Sequence, residues 1–289
     1  MPSLIEIVNY IGINYSFEDK EINSICSSTD SVDNSLTWTK SLANLSLVKS
    51  GVVICSKEDY HLVNKIKSVS YLPVDNPRLT FAYVAHKFFS YLLPDNFSNK
   101  VDTYRNRRDL KIGDNVFIGS EVEIGEGSII HHNVVIYSKS KIGKQCIINT
   151  NVSIGTEGLG LEFDSSKKCY VKFPQIGSVI IGDQVEIGPN STIRRSAIGE
   201  TIIGNGTKIG SLCNIGHNCI LGENNLLTSN VILAGSSHVG SDVYFGISSS
   251  IRNRVNIGNS VVIGQGAVVV KDIPEGETWV GNPAKKIDK

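Results

Sequence analysis

From Leu110 onward the chain repeats every six residues. Ile112, Ile118, Ile124, Ile130, Ile136, Ile142, Ile148 and Ile154 follow one another at that spacing without a break. The period resumes at Ile181, Ile187 and Ile193 and shortens by one residue twice, through Ile198 to Ile203. It then runs from Ile209 through Ile215, Leu221, Leu227, Leu233, Val239, Phe245, Ile251, Ile257 and Ile263 to Val269. An α-helix repeats every 3.6 residues and a half-buried strand every 2, so neither accounts for a sustained period of six. A stack of coils does, because each repeat buries its apolar side chain only against its neighbours. The 24 hexads, three to a triangular turn of 18 residues, make eight coils. Paired as parallel strands at the usual spacing, eight coils form a prism about 38 Å tall. This pattern predicts a left-handed parallel β-helix, an exception to the right-handed crossover rule.

Glycine divides the chain at the same place. Of 27 glycines, 25 lie after residue 109. Many directly follow the inward aliphatic, and we expect them to turn the corners, where a residue without Cβ adopts positive φ freely. Before residue 110 the chain reads as a small α/β domain, with strands over 51–55 and 70–75. A helix is expected over 76–93, capped by Asn76, started by Pro77 and ended by Pro94. The predicted class is therefore mainly β: a left-handed parallel β-helix of about eight coils preceded by a small α/β domain. The expected boundaries are 1–100 for that domain, 101–111 for a linker, 112–273 for the prism and 274–289 for a short cap. The polar stretch from Asn96 to Leu110 reads as solvated linker, with Arg105, Arg107 and Arg108 open to a phosphate. Residues 156–180 break the hexad rule. Phe163, Tyr170 and Phe173 make that insertion too aromatic for a floppy loop, so it is expected to bind a ligand or a subunit.

Lys+Arg and Asp+Glu are both 28, so the net charge is zero. That argues against a nucleic-acid binder and a polybasic membrane anchor. No apolar run is long enough to span a bilayer, and the start, MPSLIEIVNY, has no signal-peptide pattern. The six cysteines show no close-spaced pairs, so neither a disulfide framework nor a zinc site is expected. A cytoplasmic protein with no nucleic-acid partner is the resulting expectation.

His217 lies in NIGHNCILG, directly after a hexad glycine, which places it at a corner of a coil. An imidazole takes up a proton near neutral pH, as when an amine attacks a thioester. Gly235 is 18 residues beyond His217, one coil away, so its main-chain N–H stacks beside the ring and can meet a developing oxyanion. Asn218 and Arg254 project from nearby corners as candidate substrate contacts. Arg252, Arg254 and Lys271 are the cations available to phosphates. His131, His132 and His238 read as turn residues, and Cys213 and Cys219 as strand packing. No spacing converges the three protein ligands that zinc requires, so no metal is expected.

These residues carry a resemblance. VDNPRLTFAYVAHKFF in the first domain, VKFPQIGSVIIGDQVEIG, IGNGTKIG, NIGHNCILGENN and ILAGSS in the prism, and the terminal VGNPAKK are similar to the UDP-3-O-acylglucosamine N-acyltransferases of lipid A biosynthesis. That family lies within the hexapeptide-repeat acyltransferases. The resemblance implies a homotrimer with active sites between prisms, His217 as general base and Gly235 N–H at the oxyanion. It also implies a uracil site of pattern F-L-x-N-x-x-Y, where this chain carries Trp38, Ser41 and Asn44.

Several positions depart from the pattern. Arg254 stands for a second active-site histidine, Arg194 for an aspartate in STIRRS, and Gly210 for an aspartate upstream of the base. After VGNPAKK the sequence leaves no length for a helical extension that docks acyl carrier protein. From these departures we expect transfer of an acetyl or short hydroxyacyl group from acyl-CoA, acetyl-CoA foremost. The acceptor would be the amine of a dTDP- or UDP-linked amino-deoxy sugar for a surface polysaccharide such as O-antigen. One alternative is the lipid A enzyme itself, with 3-hydroxyacyl-acyl carrier protein as donor. Another is a non-catalytic trimeric scaffold.

Overall fold

A computed structural model of the chain describes residues 1–14, 18–95 and 97–287. It divides into two compact units, Met1–Leu93 with Leu159–Pro174, and Pro94–Gly158 with Gln175–Lys289.

The first unit is built on a four-stranded parallel sheet, Ser24–Ile25, Ser35–Trp38, Gly51–Ser56 and Val69–Val74, in sequence order. Val52, Val53, Ile54 and Cys55 are fully buried, as a strand covered on both faces requires. The helix Leu4–Ile11 opens on a capping box of Ser3 and Glu6 and stops at Gly12, in the left-handed region at φ 77°. The helix Pro77–Phe88 starts as expected, with Asn76 accepting from Leu79 N–H. It ends before residue 93 because Phe89 leaves helical geometry to bury its ring, and Ser90–Leu92 tightens into a 3-10 turn.

The insertion belongs to this unit. It forms an antiparallel hairpin of Leu161–Asp164 and Cys169–Lys172. Glu162 accepts from Arg78 at 2.8 Å and Lys40 at 3.2 Å, and Tyr83 donates to Asp164 at 2.6 Å. Phe173 stacks on Phe81 at 5.4 Å. The strands Ser153–Thr156 and Ser178–Ile181 already follow the coil, so the excursion is shorter than 156–180.

The second unit is the left-handed parallel β-helix. One face carries eight strands, from Phe117–Ile118 to Val268–Val269. A second carries seven, from Glu123–Ile124 to Asn256–Ile257, completed by a bridge from Ile257 to Ile273. On the third, eight strands from Lys111–Ile112 to Val262–Ile263 are continued by Thr278–Val280 and, turned back antiparallel, Lys285–Ile287. The aliphatic column from Ile118 to Val269 fills the interior.

Most hexad glycines do not turn the corners by positive φ. That conformation falls two residues later, on Asn115, Asn133, Asn151, Gln145, Gln184, Asn218, Asn224 and Asn230, among others. Asparagine visits the left-handed region more readily than most residues. The glycines serve close approach. A Cβ on Gly204 would lie 2.3 Å from Gly222 O in the next coil.

The segment after residue 96 is not a solvated linker. Asn96 itself lies outside the described residues. Val101–Arg105 is a short helix that covers the first coil, with Val101 and Leu110 joining the core. Arg107 pairs with Asp109 and donates to Ile124 O at 2.7 Å, and Arg105 donates to Gly113 O, which commits both to the protein.

Candidate active site

His217 sits at a corner of the prism, half-buried rather than standing free on the surface. Two glycines make room for its ring. A Cβ on Gly235 would lie 2.6 Å from Nε2, and one on Gly158 would lie 2.8 Å from Cδ2. Gly158 is the last residue before the chain leaves the coil, and its N–H donates to Gln175 Oε1 where the chain returns.

The other ring nitrogen, Nδ1, lies 3.0 Å from Asn218 Oδ1. Which atom of that amide is oxygen follows from its other partners. Ala197 N–H donates to Oδ1 at 3.2 Å, whereas Nδ2 donates to Ile198 O at 3.0 Å and to Ser196 Oγ. An acceptor therefore faces Nδ1, so Nδ1 carries the ring proton and Nε2 keeps its lone pair. Every hydrogen-bonding position of the Asn218 amide is used within the protein, with the imidazole as one of its partners. Gly210, where an orienting aspartate was noted as missing, has no room for any side chain: its Cβ would lie 2.8 Å from the Thr228 carbonyl carbon.

Gly235 stacks one coil beyond His217, as the 18-residue count requires. Ser236 N–H donates to His217 O at 2.8 Å and Arg254 N–H to Gly235 O at 3.2 Å. Neither bond uses the N–H of Gly235. Arg252 and Arg254 are exposed on the same corner of the following coil, and Lys271 on that of the coil after, with its ammonium 5.1 Å from the Trp279 ring centroid. A single edge of the prism thus carries His217, Gly235 and these three cations in order. Arg194 donates to Glu157 O at 2.9 Å and to Asn214 Oδ1 at 3.3 Å, bracing the root of the excursion.

In the first unit, Trp38 is half-buried at the end of its strand, against Phe81 at 6.2 Å and Phe173 at 5.5 Å. Ser41 caps the short helix Leu42–Leu45 by accepting from Asn44 N–H at 3.3 Å. The Ser41 cap thereby brings Asn44 against it, and the Asn44 side chain is exposed. A cavity of about 420 Å³ opens elsewhere in this unit, between Tyr10, Lys57, Asp75, Tyr83 and Lys167, and none of the three residues lines it. Among the described residues, no three His, Cys, Asp or Glu side chains converge as a metal site. No helix among them is long and apolar enough to cross a membrane.

The sequence pattern missed Gly158, Gln175 and Ser196. The first two come from the excursion, where the hexad no longer reports position. Ser196 reaches the site through a hydrogen bond that no spacing encodes.

Residues 200–235 match the family model described as bacterial transferase hexapeptide (six repeats). The UDP-3-O-acylglucosamine N-acyltransferase of Helicobacter hepaticus is 34% identical over 97% of this chain and 90% of its own length. The chain belongs to that family. A family member from Rhodopseudomonas palustris is 39% identical over 46% of this chain and 35% of its own length. The UDP-N-acetylglucosamine acyltransferase of Francisella novicida covers 63% of this chain and 67% of its own, with a TM-score of 0.55 at 26% identity. Its counterpart from Campylobacter jejuni, 24% identical with a TM-score of 0.54, shares the fold. As a UDP-3-O-acylglucosamine N-acyltransferase family member, the chain is an enzyme that acylates an amine.

Proposed function

We propose that the chain transfers a 3-hydroxyacyl group from acyl carrier protein to the amine of UDP-3-O-acylglucosamine, in lipid A synthesis. The relatives' names favour this reading over the short acyl-CoA donor and dTDP-linked acceptor expected from the sequence departures. Two of those departures also lose their force, since Asn218 supplies the orientation that Gly210 cannot and Arg194 has a bracing role.

The observation that carries the reading is the ring of His217, held with Nδ1–H on Asn218 and Nε2 over Gly235. The amine attacks the thioester carbonyl, forming a C–N bond. Nε2 takes the amine proton, and the negative charge on the carbonyl oxygen meets the Gly235 N–H. Collapse breaks the C–S bond, and the proton on Nε2 passes to the departing thiolate. Trp38 would stack on the uracil, with Ser41 and Asn44 beside it. Arg252 and Arg254, about 10 Å from His217 along the edge at one strand spacing per coil, and Lys271, about 14 Å along it, would meet the donor's phosphate. The assembly would be a homotrimer, which would cover apolar side chains directed outward from the prism, such as Leu226 and Tyr244.

The test compares 3-hydroxyacyl-acyl carrier protein with acetyl-CoA as donors to UDP-3-O-acylglucosamine, for wild type and His217→Ala. We expect turnover with the carrier protein and a loss of about 10²–10⁴-fold in kcat in the variant. Equal activity in the variant would remove His217 as base, and turnover with acetyl-CoA alone would restore the short-donor reading.

A further inference from the structure

Arg195 is the largest fully buried side chain among the described residues. Its guanidinium reaches three main-chain carbonyls: Nε donates to Gly155 O at 2.6 Å, Nη2 to Ser138 O at 3.0 Å and Nη1 to Gly177 O at 3.4 Å. Burial lowers its pKa to about 10, so it stays a cation at neutral pH. A buried cation is costly unless its donors are met, and here the backbone meets them.

The three carbonyls mark the place where the hexad fails. Ser138 lies on the preceding coil, Gly155 just before the chain leaves for its excursion, and Gly177 just after it returns. Ordinary coils are joined there by a continuous backbone ladder, which the excursion interrupts. The planar fork of Arg195 spans the gap, a task for which a single ammonium has the wrong geometry.

Both supports of the His217 ring grow from this clamp. Toward the carboxyl end, Arg195 runs directly into Ser196, Ala197 and Ile198, the three residues that hold the Asn218 amide. On the other side, Arg195 N–H donates to Thr156 O at 2.9 Å, two residues before the Gly158 that walls the ring.

We propose that Arg195 is a positioning residue for the acyl transfer, which sets the tautomer and tilt of His217 through Asn218 and Gly158 without touching either substrate. This rests on His217 being the proton acceptor.

The test measures kcat and both KM values for wild type, Arg195→Lys, Asn218→Ala and the double variant, with circular dichroism and melting to verify folding. Arg195→Gln is the second variant if Lys is not tolerated. A positioning role lowers kcat about tenfold or more while both KM values stay within about twofold. It also makes the double variant only as slow as the slower single one, because both changes act on one ring. A folded Arg195→Lys enzyme with full kcat would overturn the proposal. So would KM values that rise in step with the loss, or effects that multiply. Failure of both variants to fold would assign Arg195 to folding alone and overturn it too. The two readings separate cleanly. If His217→Ala is active, the base assignment falls. If His217→Ala is dead and Arg195→Lys is not impaired, only the clamp falls.

Discussion

At the scale of single residues, the proposed chemistry depends on which nitrogen of His217 carries its proton. The neighbouring amide decides that, because Asn218 Oδ1 is pinned as an acceptor by Ala197 N–H. Steric fit decides the rest. Gly235→Ala would place a methyl 2.6 Å from Nε2, so the ring must turn away. We expect kcat to fall about 100-fold, the scale of a lost oxyanion or proton-transfer geometry. The melting temperature should stay within a few degrees, since the ring is half-exposed and can move outward. Steady-state kinetics with a thermal melt checks this, and a Gly235→Ala enzyme with native kcat would show that the ring does not depend on that gap. Counting by 18 found Gly235 in the sequence because stacking is periodic. It did not find the bond between Asn218 and His217, because counting says where a side chain starts and not what it bonds.

At the scale of elements, the hairpin 161–172 is held to the first unit by two carboxylates. Burial by itself would raise the Glu162 pKa, but hydrogen bonds from Lys40 and Asn76 and the charges of Lys40 and Arg78 outweigh it and hold the group below its ordinary value. Hydrogen bonds from Ser166 and Tyr83 hold Asp164 well below the carboxylate range. Both folded pKa values lie under the unfolded ones, so their stabilisation is complete above about pH 5 and is lost as the pH falls below about 4. Limited proteolysis across that range should cut the hairpin faster only on the acid side. In Glu162→Gln the acid dependence should be weaker and the cutting faster at pH 7, while equal rates at pH 3 and 7 in wild type would contradict the account. The insertion's aromatic content was readable as a sign of order. Its destination was not, because the partners Arg78, Tyr83 and Phe81 lie more than 80 residues earlier on the helix Pro77–Phe88. The helix 101–105 was missed for a related reason: its sequence is polar, and only the open end of the first coil calls for a cover.

At the scale of the whole molecule, the prism leaves large apolar side chains pointing outward. Leu226 and Tyr244, cross-strand neighbours on one face, are 44% and 41% exposed. The proposed trimer would cover this row. Sedimentation should give about three times the 31.4 kDa chain mass. Leu226→Asp should lower the mass to that of one chain and abolish activity, and a wild-type monomer with full activity would exclude the trimer. By itself the sequence determined the prism and the stacking of Gly235 on His217; its hexad count was one too many, because Ile198 lies outside the core and the chain passes from Thr192–Arg194 straight to the strand Glu200–Ile203. Those follow from a period of six that persists through the core, and a strict period leaves one way to bury its aliphatics. Only the tertiary structure decided what breaks the period: where the hairpin packs, why the hexad glycines are small, which atom of Asn218 faces the ring, and that Arg195 is buried beneath them. Each of these rests on an approach between residues far apart in the chain, which no local pattern records.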